Sequence, residues 1–288
     1  MTLINQDSPS HFLQEIIKTY QKDGALVGED RNIACLFFVV ISKYLQREYR
    51  LHATIVSESS AGKSKLAHTI TEPFNEDLKY YTRFTGAGLD RKTESYNGKI
   101  FYYEQMNGFE PSQLKVMLSE GELSILVVET DELGRKKPIE LKIKGMPVFI
   151  TTSTNPNIDQ ELLNRTLTLT LDESKVQTRA IMKQHAKRFS ILHKANLNKW
   201  SYIIQLKNRL NEIRLETICQ IIVPFSDLVA DKLPDHLNMR RDFDKILRLT
   251  ALIAYTKSIT YRGWWENSKV EGFRSYAVGP NTNEGFDI

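Results

Sequence analysis

Cysteine is almost missing: among 288 residues only Cys35 and Cys219 carry thiols, in unrelated segments. Neither a disulfide framework nor a four-thiol zinc site can be built from two such residues, and a reducing, cytoplasmic setting is the expectation. Long apolar runs are lacking as well. The longest, residues 34–41, is too short to span a bilayer. The start of the chain places Gln6 and Asp7 ahead of a helical pattern and has no basic stretch followed by an apolar one, so no signal peptide and no membrane partner are expected. Charge of one sign is not strongly in excess: the net charge of +4 admits a nucleic-acid partner without demanding one. Repeats, low-complexity tracts and flexible linkers are absent too. With 26% charged residues, the composition is that of a folded globular chain rather than a disordered one.

Four stretches can be read in what is there. Residues 1–50 form an N-terminal helical segment, with apolar residues at every third or fourth position (Phe12, Ile16, Ile17, Tyr20, then Ile33, Leu36, Phe37, Val40, Tyr44) and a break at residues 24–28. Residues 51–176 read as an α/β core: strand candidates at 52–56, 99–103, 147–151 and 167–171, with helical segments between them. Inside it, residues 122–144 alternate apolar and polar positions on both sides of a polar turn at 131–137, the pattern of a β-hairpin. Residues 177–262 are helical, in stretches near 180–191, 200–213 and 242–259 punctuated by Pro224 and Pro234. Residues 263–288 form an irregular tail that includes Trp264 and Trp265. The six histidines are scattered and read as structural.

The turn after the first strand reads Ser57-Glu58-Ser59-Ser60-Ala61-Gly62-Lys63-Ser64, with Lys65 leading into the helix behind it. It fits the phosphate-loop pattern G-x-x-x-x-G-K-[ST] except that Ser57 replaces the first Gly, a change expected to narrow the loop without removing phosphate contacts. Such a loop needs small residues because its backbone N–H groups wrap phosphate oxygens, while the helix N-terminus adds a positive dipole end. Residues 57–65 are therefore assigned to ATP, with Lys63 on the β- and γ-phosphates and the Ser64 hydroxyl on Mg²⁺. A serine-rich turn that merely caps a helix is the plainer alternative; a strand before and a helix after favour the phosphate. Hydrolysis also needs a carboxylate at the end of a neighbouring strand. Glu104 supplies it after Ile100-Phe101-Tyr102-Tyr103. Tyr103 stands where an Asp usually precedes that Glu, so Glu104 carries the base or water-orienting role alone, and the metal is left to Ser64, phosphates and water.

Together with segments further along, these motifs resemble the AAA+ helicases of the minichromosome-maintenance type and the primase-helicases of phages and mobile elements, over about residues 51–261. The resemblance implies a P-loop AAA+ fold of the α/β class, a parallel sheet flanked by helices with a presensor β-hairpin and a C-terminal helical lid. Glu161-Leu162-Leu163-Asn164-Arg165 followed by Leu167, Leu169, Leu171 and Asp172 is similar to the segment carrying the arginine finger, which makes Arg165 a contact to a neighbouring subunit's ATP. Thr152-Ser153-Thr154-Asn155 resembles sensor 1, with Asn155, or in reserve Thr154, orienting the attacking water. The run from Arg241 to Leu249 looks like a sensor 2 helix, with Arg241 at the nucleotide-contacting position and Arg248 as a second trans contact or a plain surface arginine. The hairpin lies where this group carries the one that moves DNA through a ring. Its tip, Glu132-Leu133-Gly134-Arg135-Lys136-Lys137, puts Arg135, Lys136 and Lys137 forward as DNA-backbone contacts, although a charged turn can also be simply solvated.

The resemblance implies an ATP- and Mg²⁺-dependent DNA helicase or translocase in a mobile-element or phage replication system. Its partners would be single-stranded or forked DNA, further copies of itself in a ring such as a hexamer, and a primase or replication initiator. The family's N-terminal OB and zinc region and a primase domain have no counterpart here, so residues 1–50 read as a packing or oligomerisation module, and the chain as a minimal helicase or a piece of a longer one. Two other functions stay open: an ATP-switched replication loader or clamp without unwinding activity, and a small-molecule kinase, in which a finger and a hairpin would have no purpose.

Overall fold

The computed structural model describes residues 9–82, 95–104, 112–130, 135–155, 158–188, 199–214, 220–221, 223, 225–260 and 277–278. Residues 131–134 of the hairpin tip, Pro224, Trp264, Trp265 and nearly all of the tail lie outside them.

Helix α1 (Pro9–Asp23) turns Phe12, Ile16 and Tyr20 inward, while α2 (Asp30–Ile41) is apolar almost all round and buries Ile33 and every residue from 36 to 41. The chain leaves α1 through Gly24, where an added Cβ would stand 2.2 Å from Thr69 Cγ2 and 2.9 Å from the Trp200 ring. Only glycine fits under that crossing. One apolar cluster runs from Phe12 through both helices and the strands to Trp200, Leu206 and Leu252, so residues 9–50 share their core with the rest of the chain.

The strands, in chain order, are β1 (Ala53–Val56), β2 (Leu78–Tyr81), β3 (Ile100–Tyr103), the hairpin pair β4 (Glu122–Thr130) and β5 (Lys136–Lys144), β6 (Val148–Ser153), β7 (Leu167–Leu169) and a short antiparallel pair, β8 (Gln220–Ile221) with β9 (Ala277–Val278). Five of them form one parallel sheet in the order β2-β3-β6-β1-β7. Helix α3 (Lys63–Thr71) crosses from the end of β1, while α4 (Ser112–Glu120) and α5 (Gln160–Arg165) precede the hairpin and β7. β3 shows why the sheet is covered on both sides: Ile100 and Tyr102 join the large cluster, and Phe101 and Tyr103 join a second one with Leu114, Met117 and Leu162 from α4 and α5. This is the α/β fold class read from the sequence, with helices on both faces of a parallel sheet.

Boundaries differ from the sequence reading at several places, three of them near the site. β2 has no counterpart there; Leu78-Lys79-Tyr80-Tyr81 is a half-exposed edge strand with none of the Val/Ile enrichment that marks buried ones. β7 stops at Leu169 because Leu171 N–H donates to Ser57 Oγ at 2.9 Å instead of continuing the ladder. Helix α6 (Lys175–Arg188) begins earlier than the stretch at 180–191, capped by Ser174, whose Oγ accepts from Gln177 N. After it come α7 (Ser201–Arg214), α8 (Ser226–Ala230) and α9 (Met239–Thr260).

The hairpin pairs Glu122 with Lys144 through to Thr130 with Lys136. Its root is two glycines in left-handed conformations, Gly121 (φ 65) and Gly145 (φ 99), joined by Gly145 N–H to Gly121 O at 2.8 Å. A Cβ on Gly145 would sit 2.4 Å from Asn97 N. Beside this root Arg50 is buried. Its guanidinium donates to Met146 O, Asn97 Oδ1 and Leu45 O, and its own carbonyl accepts from Arg248 Nη1 of α9 at 2.9 Å.

Candidate functional site

The phosphate loop leaves the C-terminal end of β1 and enters α3 at Lys63. Two left-handed residues curve it, Ser60 (φ 66) and Gly62 (φ 99), and a Cβ built on Gly62 meets nothing within 4 Å, so the concave side is open. Among the described residues the amides of Ser59, Ser60, Gly62, Lys63 and Ser64 have no protein acceptor, the condition of an anion-binding nest at a helix start. Lys63 is buried and donates through Nζ to Ser57 O at 2.7 Å and to Glu58 O. Burial pulls its pKa down, opposed by the charge of Glu173. The serine in place of the first glycine has its own task here, since its hydroxyl ties the loop to Leu171. Glu173 adds a second tie, its Oε1 accepting from Glu58 N at 2.8 Å.

Glu104 follows β3 and lies against the start of α3. Its carboxyl is held below the usual range, first by a hydrogen bond from the Ser64 side chain and then by one from Tyr80. One hydroxyl and one carboxylate in direct contact beside an open anion cradle fit a hard divalent cation that also takes phosphate and water oxygens. Tyr80, on β2, is a member of the site that sequence reasoning missed. Its phenol is pushed up to about 12, mainly by the bond to Glu104. Its ring stands 5.1 Å from His68 and 5.3 Å from Tyr102, with His68 and Tyr102 5.0 Å apart, so the carboxylate is bordered by an aromatic wall. Tyr80→Phe removes one donor, and the Glu104 pKa is expected to rise toward the ordinary carboxylate value. A carboxylate held low stays charged to lower pH, so losing the donor moves the acid limb of the pH–rate profile upward. An unmoved acid limb in the Phe variant would disconnect Tyr80 from Glu104.

Asn155 follows the C-terminal end of β6, its N–H donating to Ser153 Oγ at 3.0 Å, and Ser153 O accepts from Ser57 N at 3.3 Å. Thr154 and Asn155 are exposed at the same edge of the sheet as the loop. Arg165 is elsewhere. It ends α5 just before β7, and β7 runs parallel to β1 with Leu167 opposite Ala53, so Arg165 lies at the N-terminal edge of the sheet while the loop leaves the C-terminal edge. A four-residue strand separates these edges by about 13 Å. Arg165 Nε donates to Ser119 Oγ at 2.6 Å, and Nη1 pairs with Glu161 at 2.7 Å. Helix α9 lies at the same edge, with Lys245 Nζ donating to Thr166 O at 3.0 Å and Arg248 to Arg50 O. Arg241, one turn before Lys245, is exposed. Arg248 is also paired with Asp244 at 2.8 Å, which makes it an internal brace. Arg135, Lys136 and Lys137 are exposed where β5 begins.

A cavity of about 420 Å³ opens beside the loop's ties, lined by Glu29, Asp30, Arg31, Asn32 and residues 168–172. Glu29 frames it in a left-handed conformation (φ 59), its Oε1 accepting from Asp172 N at 2.9 Å. Gln177 of α6 closes over Gly28 by donating to Val27 O. The sequence offered no signal for this wall, because it joins the turn before α2 to the segment after β7. His52 is buried with its pKa lowered to about 3 by burial, so it is neutral, and its Nδ1 accepts from Phe149 N at 3.2 Å.

Residues 4–199 match the family model described as MTBMA_p00010 P-loop domain. None of the curated proteins matches the chain. Among solved structures it is similar to a full-length MCM homolog from Methanopyrus kandleri, at 14% identity and a TM-score of 0.45 over 89% of this chain and 58% of that one. It is also similar to the Thermotoga maritima RuvB Holliday junction branch migration motor, at 13% and 0.40 over 76% and 72%. A third is the C-terminal region of NrS-1 in an apo form, at 16% and 0.35 over 84% and 66%. The chain spans less than two thirds of the length of the MCM homolog.

Proposed function

Since this chain belongs to the MTBMA_p00010 P-loop domain family, we propose that it is an AAA+ type ATPase that assembles as a ring, a hexamer, and drives single-stranded or forked DNA by hydrolysing ATP between neighbouring copies. The observation that carries this reading is the separation of Arg165 from the loop: the two lie at opposite edges of one sheet, so a finger at Arg165 can serve only another copy's nucleotide. A primase or replication initiator is the partner class such a motor works beside.

The chemistry assigned to each group follows from its place. The five unpartnered amides and the Lys63 ammonium, once it leaves the Ser57 and Glu58 carbonyls, hold the β- and γ-phosphates. Mg²⁺ held by Ser64 together with phosphate and water oxygens would offset phosphate charge. With Tyr80 on Oε2 and the Ser64 hydroxyl turned to the metal, Glu104 takes a proton from attacking water. Asn155 orients that water at the end of β6. The base and ribose of ATP occupy the cavity framed by Glu29 and residues 168–172.

DNA contact is assigned to the hairpin. Replacing Arg135, Lys136 and Lys137 together by Ala should weaken single-stranded DNA binding and flatten its salt dependence by about 2, since each phosphate no longer neutralised lowers the slope by roughly 0.7. Basal hydrolysis should stay nearly intact. Collapse of hydrolysis with DNA affinity unchanged would refute the hairpin assignment, and a wild-type ATPase indifferent to DNA would favour the loader or clamp.

A further inference from the structure

Helix α6 carries a charged surface that the nucleotide site does not use. Lys175, Arg179, Lys183 and Lys187 recur at every fourth residue, and all are exposed. Each step of four advances about 6 Å along a helix and about 40° around it, so the four make a single row about 18 Å long across a third of the circumference. The opposite side faces the protein, where Gln177 is buried against Val27. The helix contains no Asp or Glu, and among the described residues none of the four cations has an ion-pair or hydrogen-bond partner. Six lysines elsewhere find carboxylates: Lys43, Lys99, Lys115, Lys199, Lys207 and Lys245. Like charges four residues apart repel, and Lys175 stands in the first turn, where the helix dipole disfavours a cation. The row therefore works against the helix that carries it, unless an external polyanion completes it.

We propose that this row is a track for the sugar-phosphate backbone of single-stranded DNA on the outer face of α6, separate from the hairpin. Two features favour a single strand. The cations are in single file at a spacing near that of neighbouring phosphates on an extended strand. The row is also flanked, about a quarter turn away on either side, by Val176 and Met182, exposed at 80% and 66%; unstacked bases can lie against such side chains, whereas the bases of a duplex cannot. The track is linked to the phosphate loop, because Lys175 lies two residues beyond Glu173, whose carboxylate holds Glu58 N–H. It depends on neither hydrolysis nor the hairpin, so its test needs no nucleotide.

The test replaces Lys175, Arg179, Lys183 and Lys187 by Gln, which keeps helix propensity, and follows labelled oligothymidylate binding by anisotropy across a salt series, with polyglutamate as a second probe. At low salt the affinity should fall about tenfold or more, and the slope of log K against log salt should flatten by about 2 to 3. Lys175→Gln and Lys187→Gln alone should each flatten it by about 0.7, which keeps the test valid if the fourfold variant folds poorly. Unchanged DNA affinity and slope overturn the track. So does loss of polyglutamate binding with DNA binding intact, the mark of an acidic protein's surface. If the hairpin variant leaves DNA binding unchanged while the α6 variant lowers it, the hairpin assignment fails and the track stands.

Discussion

Lys63→Ala is expected to end retention of MgATP and to lower hydrolysis by about a thousandfold, equivalent to about 4 kcal/mol less transition-state stabilisation. The reasoning starts from burial. The Lys63 side chain lies in the floor of the loop with its ammonium on two carbonyls, and burial has pulled its pKa down, so the charge is held in place at a cost and is positioned where phosphate oxygens would arrive. Alanine leaves the amide nest but removes the cation facing a polyanion. Glu104→Gln gives the contrasting outcome: the cradle keeps its shape and its ammonium, ATP is retained, and turnover falls about a hundredfold or more because the proton acceptor is gone. Equilibrium binding of a fluorescent ATP analogue, beside phosphate release, separates the two. Full turnover in either variant would remove the residue from the role given to it.

Arg165→Ala should cost about 10³ in turnover, the scale of an arginine finger, with ATP binding by each copy unaffected. The distinguishing measurement mixes two inactive proteins. In a ring containing Arg165→Ala and Lys63→Ala copies, some interfaces pair an intact loop with an intact finger, and hydrolysis partly returns. No recovery at any ratio would contradict shared sites. Arg165 is only one-fifth exposed in the isolated chain, paired with Glu161 and bonded to Ser119, so the finger role proposed for it requires these bonds to be exchanged for phosphate oxygens.

Much of this could be read in the sequence because the chemistry is local there. The loop, the strand ending at Glu104 and the alternation of residues 122–144 each lie in one continuous stretch whose spacing reports its backbone. What stayed hidden depends on the order of strands. Tyr80 touches Glu104 because β2 pairs with β3, and a four-residue edge strand of Leu-Lys-Tyr-Tyr has too little alternation to declare itself. Ser57 reads as a defect in a glycine pattern, yet its hydroxyl holds Leu171, 114 residues away. The place of Arg165 relative to the loop follows only once β7 is known to run parallel beside β1.

Arg50 has a mechanical consequence. One residue grips the base of the hairpin through Met146 and the neighbouring turn through Asn97, while its own carbonyl is gripped by α9. With Gly121 and Gly145 at the hairpin's root, the footing of the hairpin and the seat of α9 share one side chain and one carbonyl, so loss of Arg50 would loosen both at once.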